Sequence, residues 1–176
     1  MPFFDYQAPP VPPAGRPSLV FDERLDLRRG GQTFEIRHIP PAHTSGDAVV
    51  YCPEADVLHA GDLYFNGLYP FIDVHNGGGI DGMIAAVESL IILCGPDTKV
   101  VPGHGPLSDR DGLGAYLRML KGTRAEVARQ MKGGKDLAAV AAAGPTAEWD
   151  GVWGDGFLKP EQFVQLVFDS LERDGI

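Results

Sequence analysis

The chain is short of several things that would name a class of function. Of its 176 residues only two are cysteine, Cys52 and Cys94, and no pair is spaced as CxxC. A disulfide framework and a zinc ribbon are both excluded; the two read as small buried apolar residues. Basic residues are outnumbered, with 15 Lys and Arg against 24 Asp and Glu for a net charge of −9. That balance speaks against nucleic acid or an anionic membrane surface as partner, since phosphates are gripped by Lys and Arg. No apolar run reaches the roughly 18 residues that span a bilayer. The start, Met-Pro-Phe-Phe-Asp-Tyr, has neither the basic nor the apolar region of a signal peptide. As written the chain reads as soluble and cytoplasmic. There is no internal repeat, no G-x-S-x-G, no GxGxxG and no P-loop.

What the chain does have is apolar content, at 44%, and abundant Gly and Pro, 23 and 15 residues. That excludes a mostly disordered chain and predicts many turns. Six prolines in residues 1–18 make an extended lead-in. Strand patterns begin at Leu19. Arg28-Arg29-Gly30-Gly31-Gln32 reads as a hairpin turn, and Thr33–Ile39 alternates with Phe34, Ile36 and His38 on one face. Ala48–Tyr51 and Val57–Ala60 are short strands around a turn at Pro53–Asp56. Ile80, Met83, Ile84, Val87, Leu90, Ile91 and Cys94 repeat as a helix face closed by Gly95-Pro96. Lys99–Val101 is a short buried strand. A helix capped by Ser108 carries Leu113, Tyr116, Leu117, Leu120, Arg124, Val127 and Met131 on one face and ends at Gly133-Gly134. Helices over about Asp136–Ala143 and Pro160–Glu172 follow. The order of elements predicts an α/β or α+β sheet with helical cover.

Three segments each follow a strand directly, in Gly- and Pro-rich settings that fix a loop. They are Pro40-Pro41-Ala42-His43-Thr44-Ser45-Gly46-Asp47, Gly61-Asp62, and Pro102-Gly103-His104-Gly105-Pro106. Strand ends are where sheet folds place their sites. Two imidazoles and a carboxylate suit zinc, iron or manganese, and a carboxylate can bridge two cations. The helix from Ile80 returns the chain, bringing the second and third segments to one edge.

HTSGD, then AGD with its Asp 19 residues past His43, then PGHG with its His 42 further on, resembles the metallo-β-lactamase-fold hydrolases over about Phe34 to Leu107. An Asp at the bridging place is like the glyoxalase-II-type branch. The resemblance implies an αββα sandwich, two zinc ions (with iron or manganese as options), His43 on the first metal, Asp62 bridging as the catalytic centre's shared carboxylate, and His104 on the second. The cations would lower the pKa of a bound water and polarise an ester, thioester, lactone or lactam carbonyl. The family's HxHxDH signature, which supplies four further ligands, is absent, and no histidine precedes His38. The expectation is therefore a partial fold lacking the N-terminal β-sheet half, truncated at an internal methionine, and weakly active or inactive as it stands. Residues 19–107 would be the C-terminal half of the domain and 108–176 a helical extension packed on it. A lost N-terminus would take any signal peptide with it.

Around the three ligands, Asp47 reads either as an orienting partner of His43 or as a turn residue. His59 is a core, supporting or site-lining residue. Tyr64 and Asn66 belong to an aromatic run that either walls a pocket for a small-molecule substrate or packs under a loop. His38 and His75 read as exposed. Two other functions are carried alongside the hydrolase: a non-catalytic module that oligomerises through an exposed sheet face, and a mononuclear iron, sulfur-oxidising enzyme on the same scaffold.

Overall fold

The computed structural model describes residues 9–176. The first eight positions of the Pro-rich lead-in lie outside the described residues. The rest of it is exposed, with a single 3-10 turn at Pro13–Gly15.

Five strands form one sheet in sequence order: β1 (Arg24–Arg29), β2 (Gln32–His38), β3 (Ala48–Cys52), β4 (Val57–Phe65) and β5 (Lys99–His104). The first four are antiparallel to their neighbours. Gly30 and Gly31 both take positive φ, 61° and 78°, between paired Arg29 and Gln32. A two-residue hairpin of that kind needs positive φ at both positions, which is why the Gly-Gly pair marks it. Between β4 and β5 comes α1 (Ile80–Leu93), a crossover helix, and so β5 runs parallel to β4. This connection brings the ends of both strands to one edge of the sheet.

The remaining chain is helical: α2 (Arg110–Lys132), α3 (Leu137–Ala142), α4 (Asp150–Trp153) and α5 (Pro160–Arg173). Side chains alternate across the sheet. Val49, Leu58, Ala60 and Val100 point to the helical side and are buried with Met83, Val87, Leu90, Leu113, Tyr116 and Leu120. Their neighbours Val50, His59 and Val101 face the other way and are only partly covered or exposed. The described residues thus form two layers, one sheet and one set of helices. That is half of the four-layer sandwich the resemblance implies, as the expectation of a partial fold has it. No helix among the described residues is long and apolar enough to cross a membrane.

Two local expectations are corrected, and one short helix is added. The cap of α2 is Asp109, whose carboxylate accepts from the Gly112 amide at 2.9 Å. Ser108 instead pairs its backbone with Val100 and its hydroxyl with Tyr64. Both residues are good caps, and the bridge to β5 commits Ser108 elsewhere. Strands β4 and β5 run on beyond Ala60 and Val101, to Phe65 and His104. The glycines read as strand ends mark register shifts at Gly61 instead. The short α4 has no counterpart in the sequence reading, because four residues are too few to show a period.

Candidate metal centre

His43 sits in the loop between β2 and β3, and Asp47 builds that loop. The Asp47 Oδ2 accepts from the amides of His43 (2.7 Å) and Thr44 (3.0 Å). Its Oδ1 accepts from the Thr44 hydroxyl (3.0 Å) and faces His43 Nδ1 at 3.3 Å. Burial by itself would raise the Asp47 carboxyl, but the bonds from His43 and Thr44 outweigh it and hold the group below its ordinary range. An ionised Asp47 can only accept, so it favours the tautomer of His43 with the proton on Nδ1 and leaves the Nε2 lone pair free for a cation. Asp47 thus holds the turn and also faces the ring of His43.

Asp62 lies within β4, after a break in register where Gly61 takes φ of 55°. Such an irregularity re-aims a side chain. His104 ends β5. Gly103, just before it, is pressed on Asp62: a Cβ there would collide with the Asp62 carboxylate and stand 2.7 Å from the Gly61 carbonyl. The PGHGP turn is then held by Asn66, whose amide donates to the His104 carbonyl and whose side chain donates to the Pro106 carbonyl, each at 2.9 Å.

The three motif residues converge. Asp62 Oδ1 lies 3.3 Å from His104 Nε2, and Asp62 Oδ2 lies 3.8 Å from His43 Nε2. Each carboxylate oxygen faces a different imidazole. Two donors each about 2.0–2.1 Å from a tetrahedral zinc stand about 3.3 Å apart, so the His104 pair has the spacing of two ligands sharing one ion and the His43 pair is slightly wider. The three do not close on one point: among the described residues no group of three or more His, Cys, Asp and Glu is gathered as for a single ion. The donor set fits one carboxylate between two cation positions. Each position has two protein donors, one fewer than a catalytic zinc ordinarily takes. The cluster opens progressively, the side chains being 14% exposed at His43, 39% at Asp62 and 49% at His104.

The other candidates fall elsewhere. Tyr64 is buried against Tyr116 and bonded to Ser108 at 2.8 Å, so it packs beneath the site. The side-chain amide of Asn66 is spent on the PGHGP turn. His59 is exposed on the open sheet face, where its Nδ1 accepts from the Gly61 amide at 3.2 Å and buttresses the irregular stretch before Asp62. His38 and His75 are exposed, and Cys52 and Cys94 are buried.

Aromatic rings flank both imidazoles. Phe65 stacks on His104 with centroids 4.7 Å apart, and Phe71 stands edge-on to His43 at 6.1 Å. Phe157, from the segment between α4 and α5, completes the group at 6.1 Å from both Phe65 and His104. Sequence reasoning missed Phe157, which is far along the chain in a Gly-rich stretch with no motif around it.

The profile of the Metallo-beta-lactamase superfamily matches residues 2–107. The chain belongs to this superfamily. Among solved structures it is similar to a metallo-beta-lactamase from Pontibacter korlensis, at 27% identity over 61% of this chain and 50% of that one, with a TM-score of 0.53. A stereoselective inverting sec-alkylsulfatase from a Pseudomonas species shares the fold over 88% of this chain and 26% of its own, at 15% identity and a TM-score of 0.67. The superfamily chain thus spans about half the length of the first of these relatives and a quarter of the second. A search of curated proteins finds no match. The match to the profile ends at Leu107, and the fold likeness to the alkylsulfatase covers more of the chain than the profile does.

Proposed function

We propose that this metallo-β-lactamase-superfamily chain carries the carboxylate-bridged part of a dinuclear metal centre that hydrolyses an ester, thioester, lactone or lactam of a small molecule. One observation carries the reading: the two oxygens of Asp62 each face a different imidazole Nε2, at 3.3 and 3.8 Å. His43 and Asp62 would hold one cation and His104 and Asp62 the other, with zinc, iron or manganese all compatible with nitrogen and carboxylate donors. Bound cations supply Lewis acidity and an activated water at neutral pH. The chain's own residues do the positioning. Asp47 fixes the ring of His43, Gly103 lets Asp62 and His104 approach, and Asn66 holds the loop that carries His104. With two protein donors per cation, we infer weak binding and weak or no turnover by these residues alone.

The test is metal content by mass spectrometry after loading with zinc, ferrous iron or manganese and dialysis, paired with turnover of a chromogenic ester, thioester and lactam. Asp62→Ala is expected to lose the metal of both positions, whereas His43→Ala and His104→Ala each lose about half. An Asp62→Ala chain that keeps as much metal as the wild type would sink the proposal.

A further inference from the structure

Phe157 is a large aromatic side chain left 51% exposed beside the cluster, while its neighbour Leu158 is fully buried. Its backbone is not loose. A Cβ on Gly156 would stand 2.8 Å from Leu68 Cδ2, so the segment lies tight on the partly buried Leu68. Gly154 closes the preceding turn with its amide on the Asp150 carbonyl at 2.9 Å. Lys159 and Gln162 cap α5 immediately after. Phe157 is thus mounted between two fixed points, its ring tilted 37° to Phe65 and 44° to His104, each 6.1 Å away. Packing explains the covered half of the ring. The rest of the ring stays open to solvent, and the ring as a whole stands 6.1 Å from His104, the most exposed of the three donors. A rigid apolar wall beside a few convergent polar groups is the composition of a small-molecule pocket.

We infer that Phe157, with Phe65 behind it, forms an apolar subsite that receives the alkyl or aryl group of the substrate while the polar group undergoing reaction sits at Asp62. The substrate class is then the esters, thioesters or lactones of apolar acids rather than of short polar ones. This rests on the hydrolase reading for its chemistry, but the subsite is a property of the surface and is tested by binding.

The probes are straight-chain carboxylates from acetate to octanoate, added to the full chain with and without zinc. Ring signals of Phe157 and His104 are followed by NMR. Affinity is expected to rise about twofold for each added methylene, half the gain of a fully buried one, with the Phe157 ring signals moving most. Phe157→Ser should flatten the series, so that octanoate binds no better than acetate, and Phe157→Leu should restore most of the slope. A half-exposed position tolerates both changes, and a thermal melt checks that each variant folds. A wild-type series with no dependence on length, or one unchanged in Phe157→Ser, overturns the inference. Failure of the hydrolase reading appears separately, as no metal and no turnover with the length dependence intact.

Discussion

At the scale of single residues, the candidate centre depends on a group that is not a donor to any cation. Asp47 spends both oxygens on the His43–Thr44 turn. An Asn there offers one acceptor where two are needed, so the ring of His43 loses its fixed tautomer while most of the turn survives. Asp47→Asn is expected to weaken zinc binding about 10–100-fold with little change in the melting temperature of the metal-free chain. A chelator-competition titration reads the first and a thermal melt the second. Equal affinities would mean that Asp47 only shapes the turn. A second carboxylate bears on stability instead. Asp169 on α5 is pushed above its ordinary range by burial and by Glu172 one turn on, with His75 drawing it down. Lys135 and Asp136 line the same hollow. A carboxyl whose folded value lies above the unfolded one of about 3.9 binds its proton more tightly in the folded chain, so stability falls as pH rises through that window. The loss is complete at neutral pH, and Asp169→Asn removes it. The variant should melt above wild type at neutral pH, and its advantage should shrink away below about pH 4; an advantage that persists in acid would contradict this origin.

At the scale of elements, the site exists because β4, α1 and β5 form one parallel crossover whose two strands end side by side. Gly103 is the contact point between them. Gly103→Ala forces Asp62 or the Gly61 carbonyl to move; these hold the atoms nearest the added Cβ, and neither belongs to a helix. The expected result is a chain with wild-type helical circular dichroism that no longer retains metal; retention at wild-type level would show that the strand ends can separate without cost. Much of this was legible beforehand. The hairpin at Gly30-Gly31 and the α1 face from Ile80 to Cys94 carry strong local signals, one from turn chemistry and one from period. The three motif residues were legible only as a set. Strand lengths were not, because Gly61 and Pro102-Gly103 read as breaks and act as irregularities inside continuing strands. The choice of Asp109 over Ser108 as cap depends on the bridge from Ser108 to Val100, a contact between distant parts of the chain. Phe157 was invisible for the same reason: its place beside His104 is set by how α4 and α5 pack, which no local pattern encodes.

At the scale of the molecule, one face of the sheet has helices and the other has none among the described residues. A single row of side chains crosses that open face in register, from Leu25 through Ile36, Val50 and His59 to Val101. Four of the five are apolar, and none of them is fully buried. The edges are better guarded: β1 carries Arg24, Asp26, Arg28 and Arg29, and the backbone of Ser108 pairs with Val100 on β5. Association through strand edges is therefore disfavoured, and association through the face is what remains, opposed by a net charge of −9. We expect the chain to self-associate reversibly, more strongly as salt screens that charge, and to bind a hydrophobic dye on this face. Placing a lysine at Ile36 and another at Val50 puts two charges in the middle of the row without touching the helical core, because both side chains point away from it. The doubly substituted chain should sediment as a monomer across a dilution series, lose the dye signal, and keep its melting transition. A wild-type chain that is monomeric at every concentration and salt, and that binds no dye, would show that the row is too small or too curved to act as an interface.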